Sequence, residues 1–194
     1  LIEPVLKALS DEGYTTPTPI QEQAIPSILQ HKDLLGCAQT GTGKTAAFAI
    51  PILQLMHQEQ QQSQPGRRHI KALVLTPTRE LAIQIDEVFR KMQTGFKVTL
   101  CYGGHKRETE ENNLKEAPAL IIGTAGRLAD HIRRNNFDLD NITTLVLDEF
   151  DKSLELGFTE EMSFIIGSLK NIKKRILTSA TYAVPVPAFI NLKD

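Results

Sequence analysis

Few of the residues that staple, anchor or bias the charge of a protein are present in this sequence. Among 194 residues there are only two cysteines, Cys37 and Cys101, with no CxxC or Cys/His spacing around them. That excludes a disulfide framework and a zinc module, and implies reduced thiols in an intracellular, cytoplasmic protein. Charge of one sign is lacking too: 22 Lys and Arg face 23 Asp and Glu, for a net charge of −1. Neither the basic balance of a bulk nucleic-acid binder nor the basic amphipathic stretch of a membrane-surface protein is there, so a nucleic-acid ligand must be held by positioned groups. No apolar run approaches the ~18 residues of a membrane span, and the start carries no signal-peptide pattern. Internal repeats and a second composition regime are absent as well. The length fits one large domain or two small ones, and the uniform composition favours one. The chain opens at Leu1, without a methionine and already in a helix-like pattern, as expected of a piece of a longer protein.

What is present is an alternation. Short, almost unbroken apolar runs at Leu34 to Ala38, Ala72 to Leu75, Val98 to Tyr102, Ala119 to Gly123, Thr144 to Leu147 and Arg175 to Thr178 read as strands buried on both faces. Between them, Thr45 to His57, Arg79 to Lys91, Glu108 to Lys115, Arg127 to Asn135 and Thr159 to Leu169 have helical period. The pattern predicts an α/β fold, a parallel sheet with helices on both faces. Right-handed crossovers then gather the loops that follow the strands along one edge, where such sheets bind ligands. Gln58 to Arg68, glutamine-rich and closed by Pro65-Gly66, is expected to be a surface loop.

Chemistry concentrates after the strands. Ala38-Gln39-Thr40-Gly41-Thr42-Gly43-Lys44-Thr45 follows one strand and opens a helix, the setting of a phosphate-binding loop. Glycines let successive backbone N–H groups turn inward as an anion nest, and the helix N-terminus adds its positive end. Lys44 would reach the β/γ-phosphates and the Thr45 hydroxyl would ligand Mg²⁺. The stretch Asp148-Glu149-Phe150-Asp151 ends another strand. Asp148 stands where a hard cation needs a carboxylate, partly through water. Glu149 would orient and deprotonate the attacking water. The competing reading of the acids is a solvated turn capping the next helix, which Asp151 alone could supply.

Taken together, these segments resemble the first RecA-like domain of a DEAD-box RNA helicase, nearly end to end. Gly13-Tyr14-Thr15-Thr16-Pro17-Thr18-Pro19-Ile20-Gln21 is similar to the Q motif, within a helical region over residues 1–30; the resemblance implies that Gln21, with Tyr14 nearby, recognises adenine, since an amide offers both a donor and an acceptor. Pro77-Thr78-Arg79-Glu80-Leu81-Ala82 resembles motif Ia, Gly103-Gly104 the GG element, and Thr124-Ala125-Gly126-Arg127 motif Ib. The resemblance places these on an RNA face that grips the sugar-phosphate backbone with little sequence preference. Thr78 and Thr124 could equally be helix caps. Ser179-Ala180-Thr181 is similar to motif III, whose hydroxyls in the family bond the fourth acid, here Asp151, and couple RNA binding to hydrolysis. Three departures stand out: Ala38 at the usual first glycine, Ala125 at a usual proline, and Phe150 at the alanine of the family's name-giving motif. Nothing here resembles the family's second RecA-like domain, which the resemblance implies as a partner together with ATP, Mg²⁺ and RNA. A DNA-directed helicase and a nucleotide-gated clamp with little hydrolysis are the other readings weighed.

Overall fold

A computed structural model describes the chain except for residues 2, 14–15, 31, 38–42, 63–67, 105, 182–184 and 193–194. Six parallel strands form one sheet: β1 (Leu34–Cys37), β2 (Ala72–Leu75), β3 (Val98–Cys101), β4 (Leu120–Gly123), β5 (Thr144–Leu147) and β6 (Lys174–Ser179). Their spatial order is β1-β6-β5-β2-β4-β3. The helices are α1 (Glu3–Asp11), α2 (Pro19–Leu29), α3 (Lys44–Gln62), α4 (Arg79–Lys91), α5 (Arg107–Lys115), α6 (Ala125–Arg133), α7 (Phe150–Glu155) and α8 (Thr159–Ser168), with a short 3₁₀ turn at Ala188–Ile190.

Strand side chains alternate between faces, and here both faces are apolar. Val74, Ile122, Val146 and Ile176 point to one side, where they meet Val5 of α1, Ile28 of α2, Phe48 of α3 and Phe89 of α4. Leu73, Leu75, Ile121, Leu147 and Leu177 point to the other, against Leu128 of α6, Phe150 of α7 and Ile165 of α8. That is why the strands read as unbroken apolar runs rather than as alternating ones.

Three expectations are corrected. Gln58 to Gln62 continue α3 instead of opening a loop, because glutamine and glutamate are good helix formers and a polar composition does not end a helix; residues 63–67 of that stretch lie outside the described part. A short helix, α7, begins at Phe150, where no helical period is visible in so few residues. The helix expected from Arg127 starts two residues earlier, at Ala125.

The sheet order matters for function. The C-terminal ends of β1, β6 and β5 lie side by side on one half of the sheet edge; those of β2, β4 and β3 lie on the other half. Lys44 at the start of α3, the acidic segment and Ser179 to Thr181 therefore fall together, and the three segments expected to face RNA fall together beside them.

Packing is close where β3 and β4 meet α6. A Cβ on Gly123 would run into the Cys101 carbonyl oxygen and come within 2.8 Å of Leu128 Cγ. Gly123→Ala is expected to cost about 1–3 kcal/mol, the usual penalty for overpacking, read as a lowered urea midpoint with an unchanged m-value.

Candidate active site

The phosphate loop enters the described residues at Gly43, whose φ of +80° suits glycine. Gln39, Thr40, Gly41 and Thr42 lie outside the described residues, as does Tyr14. A Cβ at Gly43 would sit 2.5 Å from Gln21 Nε2 and 3.0 Å from Thr18 Oγ1, so a larger residue would have to displace them. Those two residues form the cap of α2. The Thr18 hydroxyl accepts from the Gln21 N–H at 3.4 Å, and Gln21 Oε1 accepts from the Thr18 N–H at 3.0 Å, a reciprocal capping box. Gln21 Nε2 also donates to the Gly43 carbonyl at 3.2 Å. The residue expected to read adenine is thus buried and also ties α2 to the phosphate loop; one further N–H and one further lone pair remain on the amide for a base.

Lys44 opens α3 and is 8% exposed. Its ammonium lies 3.6 Å from Asp148 Oδ1 and 3.4 Å from Glu149 Oε1. Thr45 follows it, half-buried on the first turn. Asp148, 2% exposed at the end of β5, also receives two hydroxyls: Thr178 Oγ1 donates to Oδ1 at 2.7 Å, and Thr76 Oγ1 donates to Oδ2 at 3.3 Å. A buried carboxylate is stable only when its charge and lone pairs are met, and here a cation and two hydroxyls meet them. Glu149 has a left-handed backbone, φ 49° and ψ 51°, and its N–H donates to Thr178 Oγ1 at 2.8 Å. Beside Gly43, Lys44, Thr45, Asp148 and Glu149 opens a cleft of about 380 Å³, within the size range of small-ligand sites.

Phe150 is 1% exposed and sits in the core against α8 and the sheet. Its ring points away from the cleft, so the acids on either side stay assembled. Asp151 Oδ2 accepts from Thr181 Oγ1 at 3.0 Å, while its Oδ1 is buried with no hydrogen-bond partner among the described residues. The expected bond from Ser179 to Asp151 is not formed. Ser179 is buried at the strand end and closes its own turn, donating to the Thr181 carbonyl at 2.8 Å and accepting from the Thr181 N–H at 3.3 Å. Only Thr181 reaches out far enough to meet the acid.

On the neighbouring half of the edge, Pro77 is buried, and Thr78 caps α4 by accepting from the Leu81 N–H at 3.2 Å. Arg79 is exposed; its guanidinium lies over Gly104, where an added Cβ would be 3.1 Å from it. Gly103 and Gly104 are exposed after β3, and Gly104 has a φ of +85°. Thr124 stands at the N-cap position of α6 without a side-chain cap bond; Gly126 is exposed beside it. Arg127 pairs with Glu110 Oε1 at 3.2 Å.

Glu110, Thr76 and Thr178 were not singled out by the sequence. Glu110 is fully buried on α5, four residues before Leu114, and lies 2.7 Å from His131 Nε2 while accepting from the Tyr102 N–H at 3.0 Å. It thereby links the GG segment to motif Ib. Cys101, Glu110 and His131 place donor atoms within 4.8 Å of one another. They form a polar knot and not a cation site: both carboxylate oxygens already accept hydrogen bonds, and burial with the adjacent Glu110 charge pushes the Cys101 thiol pKa far up. The signal that could have found Thr76 and Thr178 is a hydroxyl at the end of an apolar strand run.

The pattern of the DEAD/DEAH box helicase family matches residues 18–188. The chain is 41% identical over 189 residues to the ATP-dependent RNA helicase DeaD of Haemophilus influenzae, covering 96% of this chain and 30% of that protein. It is 43% identical over 183 residues to the ATP-dependent RNA helicase CshA of Limosilactobacillus reuteri, covering 93% of this chain and 35% of that protein. Crystal structures of a DEAD box protein from Methanococcus jannaschii and a hypothetical ATP-dependent RNA helicase from Sulfolobus tokodaii superpose with a TM-score of 0.84 at 34% and 33% identity. Each match covers 98% of this chain and about half of the other. The chain spans about a third of the length of the relatives it matches in sequence. The six-stranded sheet is the RecA-like fold of these helicases, and the chain belongs to the DEAD/DEAH box helicase family.

Proposed function

We propose that this chain is the ATP-hydrolysing first RecA-like domain of an RNA helicase. The observation that carries the reading is the meeting of Lys44, Asp148 and Glu149 within 3.6 Å, at the ends of elements from strands β1 and β5. An ammonium between two carboxylates at the mouth of a glycine-led helix can exchange them for triphosphate oxygens. Glu149 is the base: it takes a proton from water as the water oxygen bonds to the γ-phosphorus and the bond to the β-phosphate oxygen breaks, leaving ADP and phosphate. Gln21 and Tyr14 would face the adenine, and residues 39–45 the phosphates. The Thr45 hydroxyl and Asp148 carboxylate are hard oxygen donors, the set that suits Mg²⁺. When bound there, Mg²⁺ would offset the negative charge that develops on the phosphate oxygens.

Thr78, Arg79, Gly103, Gly104, Thr124, Gly126 and Arg127 supply hydroxyls, N–H groups and guanidinium charge with no base-reading geometry, as suits a sugar-phosphate track. Single-stranded or duplex RNA and a second RecA-like domain are the expected partners, and closure of the two domains would peel one strand from the other. Thr181, after β6, and Asp151, after β5, lie on the nucleotide half of the edge and would carry the coupling.

Glu149→Gln is expected to lower kcat by at least about 100-fold, the lower range for a general base, while nucleotide binding persists; equal turnover in an ATPase assay would overturn the hydrolytic reading. Residues 1–194 alone should bind nucleotide weakly and show little RNA-stimulated turnover, because an arginine finger from outside the domain is worth about 10³–10⁵ in rate. Comparing the isolated domain with the full-length protein, with RNA and with DNA as stimulant, checks this and the choice of nucleic acid. Phe150→Ala should cost about 3–5 kcal/mol in denaturation, as for a deeply buried ring, yet leave the fold-stimulation by RNA unchanged, since the ring faces the core.

A further inference from the structure

We infer that Thr178 is a positioning residue for hydrolysis, holding Asp148 and Glu149 in register through one hydroxyl. The inference rests on the hydrolytic reading of the site and extends it to a side chain hydrogen-bonded to both of its acids. Thr178 lies one residue before Ser179 on β6, is 5% exposed, and is flanked in the sheet by β1 and β5. Its Oγ1 donates its single proton to Asp148 Oδ1 at 2.7 Å and accepts the Glu149 N–H at 2.8 Å. A hydroxyl has one proton to give and two lone pairs to offer, so this arrangement uses it in both directions.

The two bonds constrain different things. The first fixes the rotation of the Asp148 carboxylate, leaving its oxygens aimed by Thr178, Thr76 and Lys44 together. The second holds the backbone of Glu149 at φ 49°, a left-handed conformation unfavourable for a residue with a side chain. That backbone is what turns the Glu149 carboxylate toward Lys44, to 3.4 Å. Without the hydroxyl, the Glu149 N–H has no acceptor and the left-handed turn loses a bond that opposes its relaxation.

Thr178 also extends the reach of the strand end. Thr181, three residues on, holds Asp151, and the Ser179 hydroxyl ties the turn between them. One short segment of β6 and its turn therefore contacts all three acids. A movement of the turn caused by RNA is felt at Asp148 and Glu149 through Thr178, in parallel with its effect on Asp151 through Thr181.

The test uses Thr178→Val, Thr178→Ser and Thr178→Ala in the full-length protein. Valine keeps the shape and removes the hydroxyl; serine does the reverse. RNA-stimulated turnover is measured against ATP and against Mg²⁺, and fluorescent ADP binding is titrated with Mg²⁺ where no turnover occurs. Thr178→Val is expected to lower kcat and weaken the Mg²⁺ dependence of ADP binding by about 10–100-fold, the usual effect of losing a group that orients a ligand, with KM for ATP little changed. Thr178→Ser should restore both. If Thr178→Val does not fold, the serine and alanine variants differ by the hydroxyl alone, and only alanine should show the loss. Parent-like kcat and Mg²⁺ dependence in the valine or alanine variant overturns the proposal, as does a serine variant that loses as much. If the parent protein itself fails to hydrolyse ATP, the hydrolytic reading falls, and the Mg²⁺-linked ADP binding of the variants still decides the role of Thr178.

Discussion

One buried carboxylate organises this domain. Asp148 stands on β5, and its two oxygens are met by Lys44 after β1, Thr178 on β6 and Thr76 after β2. Four of the six strands thus converge on a single charge that the core could not otherwise hold, since an unpaired buried ion is too unfavourable to persist. The apolar faces below bring the strands together without specifying how their ends line up. The carboxylate does specify it, because hydrogen bonds have length and direction and burial does not.

The same principle operates more loosely on the other half of the edge. Glu110 takes Arg127, His131 and the Tyr102 N–H, and so binds the loops after β3 and β4 into one body. The Arg79 guanidinium lies over Gly104 and brings in the loop after β2. Two acid-centred knots stand side by side on one sheet edge, one at the proposed nucleotide site and one on the proposed nucleic-acid face. On the first of them Thr181 and Asp151 are joined by an exposed bond, and the other Asp151 oxygen has no hydrogen-bond partner among the described residues. An incompletely satisfied contact is more easily rearranged than a satisfied one, which suits the coupling role proposed for this pair.

Much of the fold was legible because the strands are buried on both faces. Ala72 to Leu75 and Thr144 to Leu147 could be bounded to the residue, since nothing polar interrupts them. The Lys44, Asp148 and Glu149 constellation was legible because Asp148 and Glu149 directly follow a strand and Lys44 opens the helix after another, and a parallel sheet converts those linear positions into spatial neighbourhood. Other features are invisible in one dimension. Thr178 looked like the last residue of a strand, and its hydroxyl gains meaning only from a partner 30 residues away. Glu110 looked like one acid in an acidic run until its helix turned it inward. Gln58 to Gln62 misled for the opposite reason: their composition suggested a loop, while their intrinsic preference is helical.

The left-handed backbone of Glu149 bears on how such a site persists over generations. That conformation costs a side-chain-bearing residue about 1–2 kcal/mol, and glycine would occupy it without strain. Selection acting on stability alone would therefore drift toward glycine at this position, and the carboxylate would be lost. Glutamate in this strained setting therefore trades robustness for the base proposed above, and glycine there would gain stability while losing it.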